Sequence, residues 1–200
     1  MFTLARDLKK HAREFLKALT TLKFEKTPTG IWFPEQRAMA RGMYVHDVNG
    51  LDLRMDPNLL PTEGLTHMLA VEIGATAKAA GWYLALYSGA ISPASGWTAA
   101  SFAGTATEIT SGSEGYTNST RPAFTAGTAS AASIDNNASK AAFTIATAST
   151  LTVNGVAMLS DSAKGSTSGT LLSASRFASA RTFNNADVFN IGYAVALTSS

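Results

Sequence analysis

From Leu4 to Leu22 the apolar positions follow a helical rhythm. Leu8, Ala12, Phe15, Leu19 and Leu22 fall on one stripe, broadened by Leu4 and Leu16. Lys9, Lys10, Arg13 and Lys17 take the opposite faces. The pattern predicts a helix over 4–22 that docks on a partner or packs on its own domain. Asp7 and Glu14 dilute the positive face and argue against a helix lying on a membrane surface. The stretch KTPTGIWFPEQRAMARGMYVHDVNG then keeps no period and carries two prolines, so it reads as an arm. Ile31, Trp32 and Phe33 form a bulky triplet in that arm and call for a surface to cover them. Residues 62–73 read as a short helix with Thr62 as N-cap, Glu63 in the first turn, and Leu65, Met68 and Leu69 on one face.

Beyond Gly81 the period changes to two. WYLALYSG places Trp82, Leu84 and Leu86 on one face and Tyr83, Ala85 and Tyr87 on the other. KAAFTIAT alternates around Phe143 and Ile145, and LTVNGVAML follows closely enough to predict a hairpin between the two. In VFNIGYAVAL, Phe189, Ile191, Tyr193, Val195 and Leu197 share one face while Gly192, Ala194 and Ala196 share the other, as in a strand covered on both sides. Short strands separated by Gly, Ser and Asn turns predict a mainly β protein: an antiparallel β-sandwich, jelly-roll-like, preceded by an α-helical N-terminal arm.

Composition sharpens this division. Residues 1–60 hold ten Lys/Arg and seven Asp/Glu, whereas 61–200 hold six and seven. With Pro57 and Pro61 nearby, the shift predicts an arm over 1–57 and a β-sandwich domain over 58–200. Charged residues are 15% of the chain, against about 25% in ordinary globular domains. That scarcity suggests a surface partly covered by partners. A net charge of +2 gives no reason to expect nucleic acid or a membrane as partner. The N-terminus does not read as a signal peptide, because charges break every apolar run. With no cysteine in the chain, disulfides, thiolate metal sites and a cysteine nucleophile are excluded.

Candidate chemistry is sparse. His11, His46 and His67 have no second imidazole at helical spacing, so no zinc pair is expected. HDVNGLDLRMD sets Asp47, Asn49, Asp52 and Asp56 around Gly50, a cation loop in outline, but Asn58 stands where a calcium loop needs Glu, and the same residues make an ordinary turn. Glu108, Glu114, Asp135, Asp161 and Asp187 are scattered, and nothing selects a pair for glycoside hydrolysis. No nucleophile elbow, phosphate loop or dinucleotide fingerprint occurs. The residues point to a protein without enzymatic activity, cofactor or small-molecule substrate.

The order of short elements then resembles a group of tailed-bacteriophage virion proteins. The resemblance rests on NLLPTEGLTHMLAVEIG, WYLALYSG, EGYTNSTRPAF, KAAFTIAT, LTVNGVAML, LLSASRF and VFNIGYAVAL, and covers about residues 58–198. It implies a structural protein located in the virion after assembly in the host cytoplasm. Within EGYTNSTRPAF it implies a short edge strand, with Gly115 turning the chain, Tyr116 anchoring it and Pro122 removing a donor; an irregular loop pinned by Tyr116 and Phe124 is the alternative. Head decoration, as a homotrimeric cement protein bridging subunits of the major capsid protein, is the first expectation. Its arm would anchor through Leu8, Phe15, Leu19, Leu22, Trp32 and Phe33. A tail adaptor or receptor-binding fibre component is the alternative, and a virion-associated glycan hydrolase the third.

Overall fold

A computed structural model of the protein describes residues 38–199 and, in the N-terminal region, residues 12–13, 16–17, 24–26 and 32–34. Two compact units divide the chain, Ala40–Leu197 and Met1–Met39 with Thr198–Ser200. In the smaller unit, β1 (Phe24–Lys26) and β2 (Trp32–Pro34) pair antiparallel, with Glu25 opposite Phe33 and Lys26 opposite Trp32. The helix expected over 4–22 lies outside the described residues apart from Ala12, Arg13, Leu16 and Lys17, which are exposed.

The larger unit is mainly β, and its named ladders are antiparallel. Its first sheet contains β3 (Ala38–Val48), β4 (Leu51–Pro57), β6 (Gly115–Tyr116), β7 (Ser133–Asp135), β8 (Ala141–Ala146) and β11 (Val188–Ser199). The order is β4-β3-β11-β8-β6, with β7 also pairing β11. The second sheet is β5 (Tyr83–Tyr87), β9 (Leu151–Leu159) and β10 (Leu171–Phe183), with β9 in the middle. Two helices complete the unit, α1 (Thr62–Glu72) and α2 (Ala99–Ala106). The composition shift sets the end of the arm at residue 57, but β3 and β4 stand in the larger sheet, and residues 40–57 cluster with the rest of its unit.

One apolar cluster draws on both sheets. Leu84, Leu86, Val156, Met158, Phe177 and Phe183 come from the smaller sheet, and Tyr44, Phe143, Ile145, Phe189, Ile191 and Tyr193 from the larger. Phe189 is central: its ring lies 4.7 Å from Phe183 and 6.0 Å from Phe177, edge-on to the latter. Truncating such a ring to alanine costs about 3–5 kcal/mol. A second cluster forms on the other face of β5, where Ala85 and Tyr87 meet Trp97 and Phe102 beneath α2. The two-faced reading of WYLALYSG therefore holds, each face meeting a different core.

Two local expectations are corrected by the structure. KAAFTIAT and LTVNGVAML do not form a hairpin: β8 pairs with β11 and β6, and β9 with β5 and β10. The Asn-Gly inside LTVNGVAML is not a turn, because a Cβ at Gly155 would collide with the Tyr87 ring and the Ser175 carbonyl; the missing side chain lets Tyr87 cross β9 and donate to Ser175 O at 2.9 Å. The turn-forming Asn-Gly is Asn49-Gly50, where φ values of 53° and 77° make a two-residue connection between β3 and β4. Thr62 begins α1 rather than capping it, and Pro61 is the N-cap. Glu63 instead reaches across, accepting from Ala99 N at 2.8 Å and Leu171 N at 2.6 Å, which ties α1 to the start of α2 and of β10. α2 is an element that the hydrophobic pattern does not predict, although Thr98 and Ser101 form a reciprocal capping box at its start.

Candidate functional site

EGYTNSTRPAF contains the most deeply buried charge in the unit. Gly115 and Tyr116 form β6 at one edge of the larger sheet, as the edge-strand reading required. After Tyr116 the chain leaves that edge, and Leu84 N donates to Pro122 O at 2.9 Å while Phe124 N donates to Trp82 O at 2.8 Å. Just before these bonds Arg121 enters the interior, its side chain fully buried. Its Nε and Nη2 donate to the two oxygens of Glu108 at 2.8 and 2.7 Å. Nη1 donates to Asp161 O and Nη2 also to Ser166 O, and Gly165 N donates to Glu108. Lys164 lies 3.6 Å over the Tyr116 ring and donates to Tyr116 O at 2.8 Å. The loop 161–166 is thus held shut by one bidentate ion pair. The motif's pattern directs attention to Tyr116 and Pro122, whereas its central residue in the structure is Arg121.

A second buried network centres on His46, which is fully buried. Arg181 Nε and Nη2 approach His46 Nδ1 at 3.2 and 3.0 Å. A guanidinium can only donate, so Nδ1 must accept; the ring is neutral and its proton sits on Nε2, which donates to Asp56 Oδ2 at 2.8 Å. Burial is the largest cause pushing the His46 pKa below its ordinary value, and the Arg181 charge adds to it against the pull of Asp56. Asp56 also accepts from Ala178 N at 2.6 Å, while Arg181 completes its contacts on Asp52 through the carboxylate and the backbone carbonyl.

These contacts separate the oxygens of the cation-loop candidate. Asp47 takes Lys140 at 2.7 Å, Asn190 at 2.8 Å and Gly50 N. Asn49 bonds Asp187, Asp52 holds Arg54 and Arg181, and Asp56 holds His46. Among the described residues no three His, Cys, Asp or Glu side chains converge as metal ligands do. The scattered carboxylates are likewise engaged separately: Glu108 with Arg121, Glu114 with Thr147, Asp135 with Asn137 N, and Asp161 with Ser166. His67 stacks edge-on to Trp82 at 5.5 Å, and His11 lies outside the described residues. So do Leu8, Phe15, Leu19 and Leu22; Trp32 and Phe33 are placed only as backbone in β2.

The unit presents apolar surface outward at Leu65, Leu69 and Ile73 along α1 and at two further places. One is a crevice of about 550 Å³ between α1, β7 and the end of β11, with Met68, Val71, Trp82, Ile134, Val195 and Leu197 among its walls. The other is the hairpin of β3 and β4, where Met43, Leu51, Leu53 and Met55 stand exposed on a sheet edge. Surfaces of this kind mark contacts between macromolecules.

The sequence matches the family model described as Podophage GP4 fiber I protein gp80 over residues 60–198, well over half of the chain. The chain belongs to this family. It is therefore a phage virion structural protein, as the resemblance implied, and the family description names a fibre rather than a head decoration. The matched span takes in both helices, the smaller sheet and the buried Arg121–Glu108 pair, and leaves out β3 and β4. Comparison with curated proteins finds no match. Among the described residues no helix is long and apolar enough to cross a membrane.

Proposed function

We propose that the chain is a non-enzymatic subunit of a fibre on the phage particle, in preference to the head-decoration role first expected from its sequence. The family match over residues 60–198, whose description names a fibre, carries this reading. The interior supports it. A two-sheet β unit locked by internal ion pairs suits a body that must persist outside a cell, and its charged side chains are occupied in holding loops and strands. In this reading the two-sheet unit is the body of the fibre subunit, and the N-terminal residues, with their amphipathic stripe from Leu8 to Leu22, attach it to the rest of the particle.

Copy number in purified particles, measured by mass spectrometry against the major capsid protein, tests the proposal. A fibre gives from a few to some tens of copies, set by the symmetry of the tail that carries it. Hundreds of copies, comparable with the capsid protein, would return the protein to head decoration.

A further inference from the structure

We propose that the β3–β4 hairpin is a self-association surface, on which β4 packs antiparallel against β4 of a second copy about a two-fold axis at Leu53. Three observations converge there. First, β4 ends the larger sheet, so among the described residues β3 is the one strand that pairs with it, although β10 approaches it where Arg181 donates to Asp52 O and Ser175 to Pro57 O. Second, Leu51, Leu53 and Met55 are 73%, 61% and 62% exposed, and Met43 on the adjoining strand is 40% exposed. Native sheet edges are ordinarily blunted by lysines, prolines or inward charges. Here Asp52, Arg54 and Pro57 are exposed as well, but leucine and methionine alternate with the charges along the strand. Third, the order of residues is self-complementary: Leu51, Asp52, Leu53, Arg54, Met55.

Antiparallel packing about Leu53 sets Leu53 against its own mate and Leu51 against Met55 of the second copy. It also sets Asp52 against Arg54 in both directions. In one copy alone, Asp52 already binds Arg54 at 2.8 Å, the two side chains being 54% and 43% exposed. Pairing therefore exchanges an internal partner for an equivalent one across the axis, at little electrostatic cost, while the leucines and methionines leave water. A heterologous partner would have to supply this same alternation of charge and apolar groups, which a second copy supplies by identity.

The geometry also limits the contact. Asp52 has φ 52°, a bulge that turns its carbonyl to Arg181, so backbone pairing is confined to the neighbourhood of Leu53. Side chains make up the rest of the contact. Such a contact is weak between free molecules and effective when copies are held close together on a particle. Being two-fold, it is distinct from the three-fold association of a homotrimer.

The chain has no cysteine, so Leu53→Cys introduces a single thiol. Directly opposed residues of antiparallel strands lie about 4.5–5.5 Å apart between Cα atoms, within the range a disulfide spans. The full-length variant is oxidised in air with a copper catalyst, beside Leu69→Cys, whose leucine on α1 is equally exposed at 62%. The expected result is a covalent dimer of Leu53→Cys forming at least about tenfold faster than that of Leu69→Cys, given the geometric match. Adding Arg54→Glu sets two acidic side chains against each other across the axis, and should bring the Leu53→Cys rate down to that of Leu69→Cys. Equal rates for the two single-thiol variants overturn the proposal. So does a dimerisation rate indifferent to Arg54→Glu, or a trimer of Leu53→Cys whose thiols stay reduced. A disulfide that joins the position-53 thiol in intact particles only to a different virion protein overturns it as well.

Discussion

Arg121 and Arg181 are both withdrawn from solvent, and they differ in what balances their charge. Arg121 faces a carboxylate as buried as itself, with both oxygens of Glu108 engaged and two backbone carbonyls taking two further donors. Arg181 is 4% exposed, but its carboxylate partner Asp52 is 54% exposed, and its interior neighbour is the imidazole of His46. That imidazole accepts from Arg181 only while it is neutral. The first arrangement is closed on itself and holds wherever a carboxylate stays ionised. The second depends on the protonation state of one ring. Two arginines of similar burial thus give one permanent clasp and one conditional one.

Breaking the clasp should have the largest effect. Arg121→Met leaves Glu108 buried without its cation, and removing one member of a buried pair costs about 3–5 kcal/mol. Against a typical domain stability of about 5–15 kcal/mol, this variant should unfold at much lower urea concentration. Removing both charges with Glu108→Leu and Arg121→Met together should cost less than the sum of the single changes, since no orphaned charge remains. Urea unfolding of the four proteins measures the coupling. Additive costs would mean that the pair is no clasp and that Arg121 acts only through the carbonyls of Asp161 and Ser166.

How far this contrast is legible in the sequence depends on how local each signal is. Alternation over two residues is local, so β5 is legible with its faces and β11 as far as Tyr193, including Gly192, where a Cβ would collide with Asn137, whereas Leu197, expected under cover, is exposed. Pairing is not local. β8 and β9 are legible as strands, but their closeness in sequence wrongly suggests that they pair with each other. Asn154-Gly155 and Asn49-Gly50 offer the same turn dipeptide; the first lies inside a strand pattern, where the Tyr87 ring and the Ser175 carbonyl crowd Gly155. α2 is hidden because AASFAGTA is built of small residues like its surroundings, although the Thr98-x-x-Ser101 cap is there to be read.

The roles of the charges are not local signals either. Four of the six Lys/Arg beyond residue 60, namely Arg121, Lys140, Lys164 and Arg181, are spent on internal contacts. A lone arginine in a stretch of Ala, Ser, Thr and Gly is a candidate for burial with a carboxylate from elsewhere in the chain. Its sequence cannot say which carboxylate. The stripe from Leu8 to Leu22 is legible as a pattern, and it falls outside the described residues apart from Ala12 and Leu16.

The conditional network gives the next largest effect, and its sign follows from the tautomer. The folded pKa of His46 lies below its unfolded value of about 6.5, because burial and Arg181 disfavour the imidazolium. Folding stability is therefore fully present above that value and is lost as pH falls below it toward the folded pKa, since the unfolded chain binds the additional proton. A single such group contributes a slope of at most about 1.4 kcal/mol per pH unit. Thermal unfolding between pH 7.5 and 5 should show this loss. His46→Gln, which keeps an acceptor for Arg181 and has no proton to gain, should flatten it while lowering stability at pH 7.5. A variant with the wild-type slope would place the titration elsewhere and remove the distinction between the two arginines. Below about pH 4 the loss should steepen as lowered carboxylates protonate. Hydrogen bonds hold Glu114 and Asp161 under their usual range. At Asp47 burial pulls the other way, and the bonds from Lys140, Asn190 and Gly50 outweigh it.

The smallest effect on folding belongs to the exposed end of the same network. Arg54 binds Asp52 in the geometry of a good ion pair, with Nη2 donating at 2.8 Å and Nε at 3.2 Å, yet both side chains stand in water. Solvent screening and the entropy of holding two long side chains offset most of such an attraction. Arg54→Gln should leave the urea midpoint unresolved from wild type at any salt concentration, whereas Arg121→Met moves it at every one. If Arg54→Gln destabilises the fold measurably, Asp52 needs both of its cations, and the conditional network extends to the surface. If it leaves the fold unchanged but weakens self-association, the charge on Arg54 serves the contact with a second copy rather than the fold of its own chain.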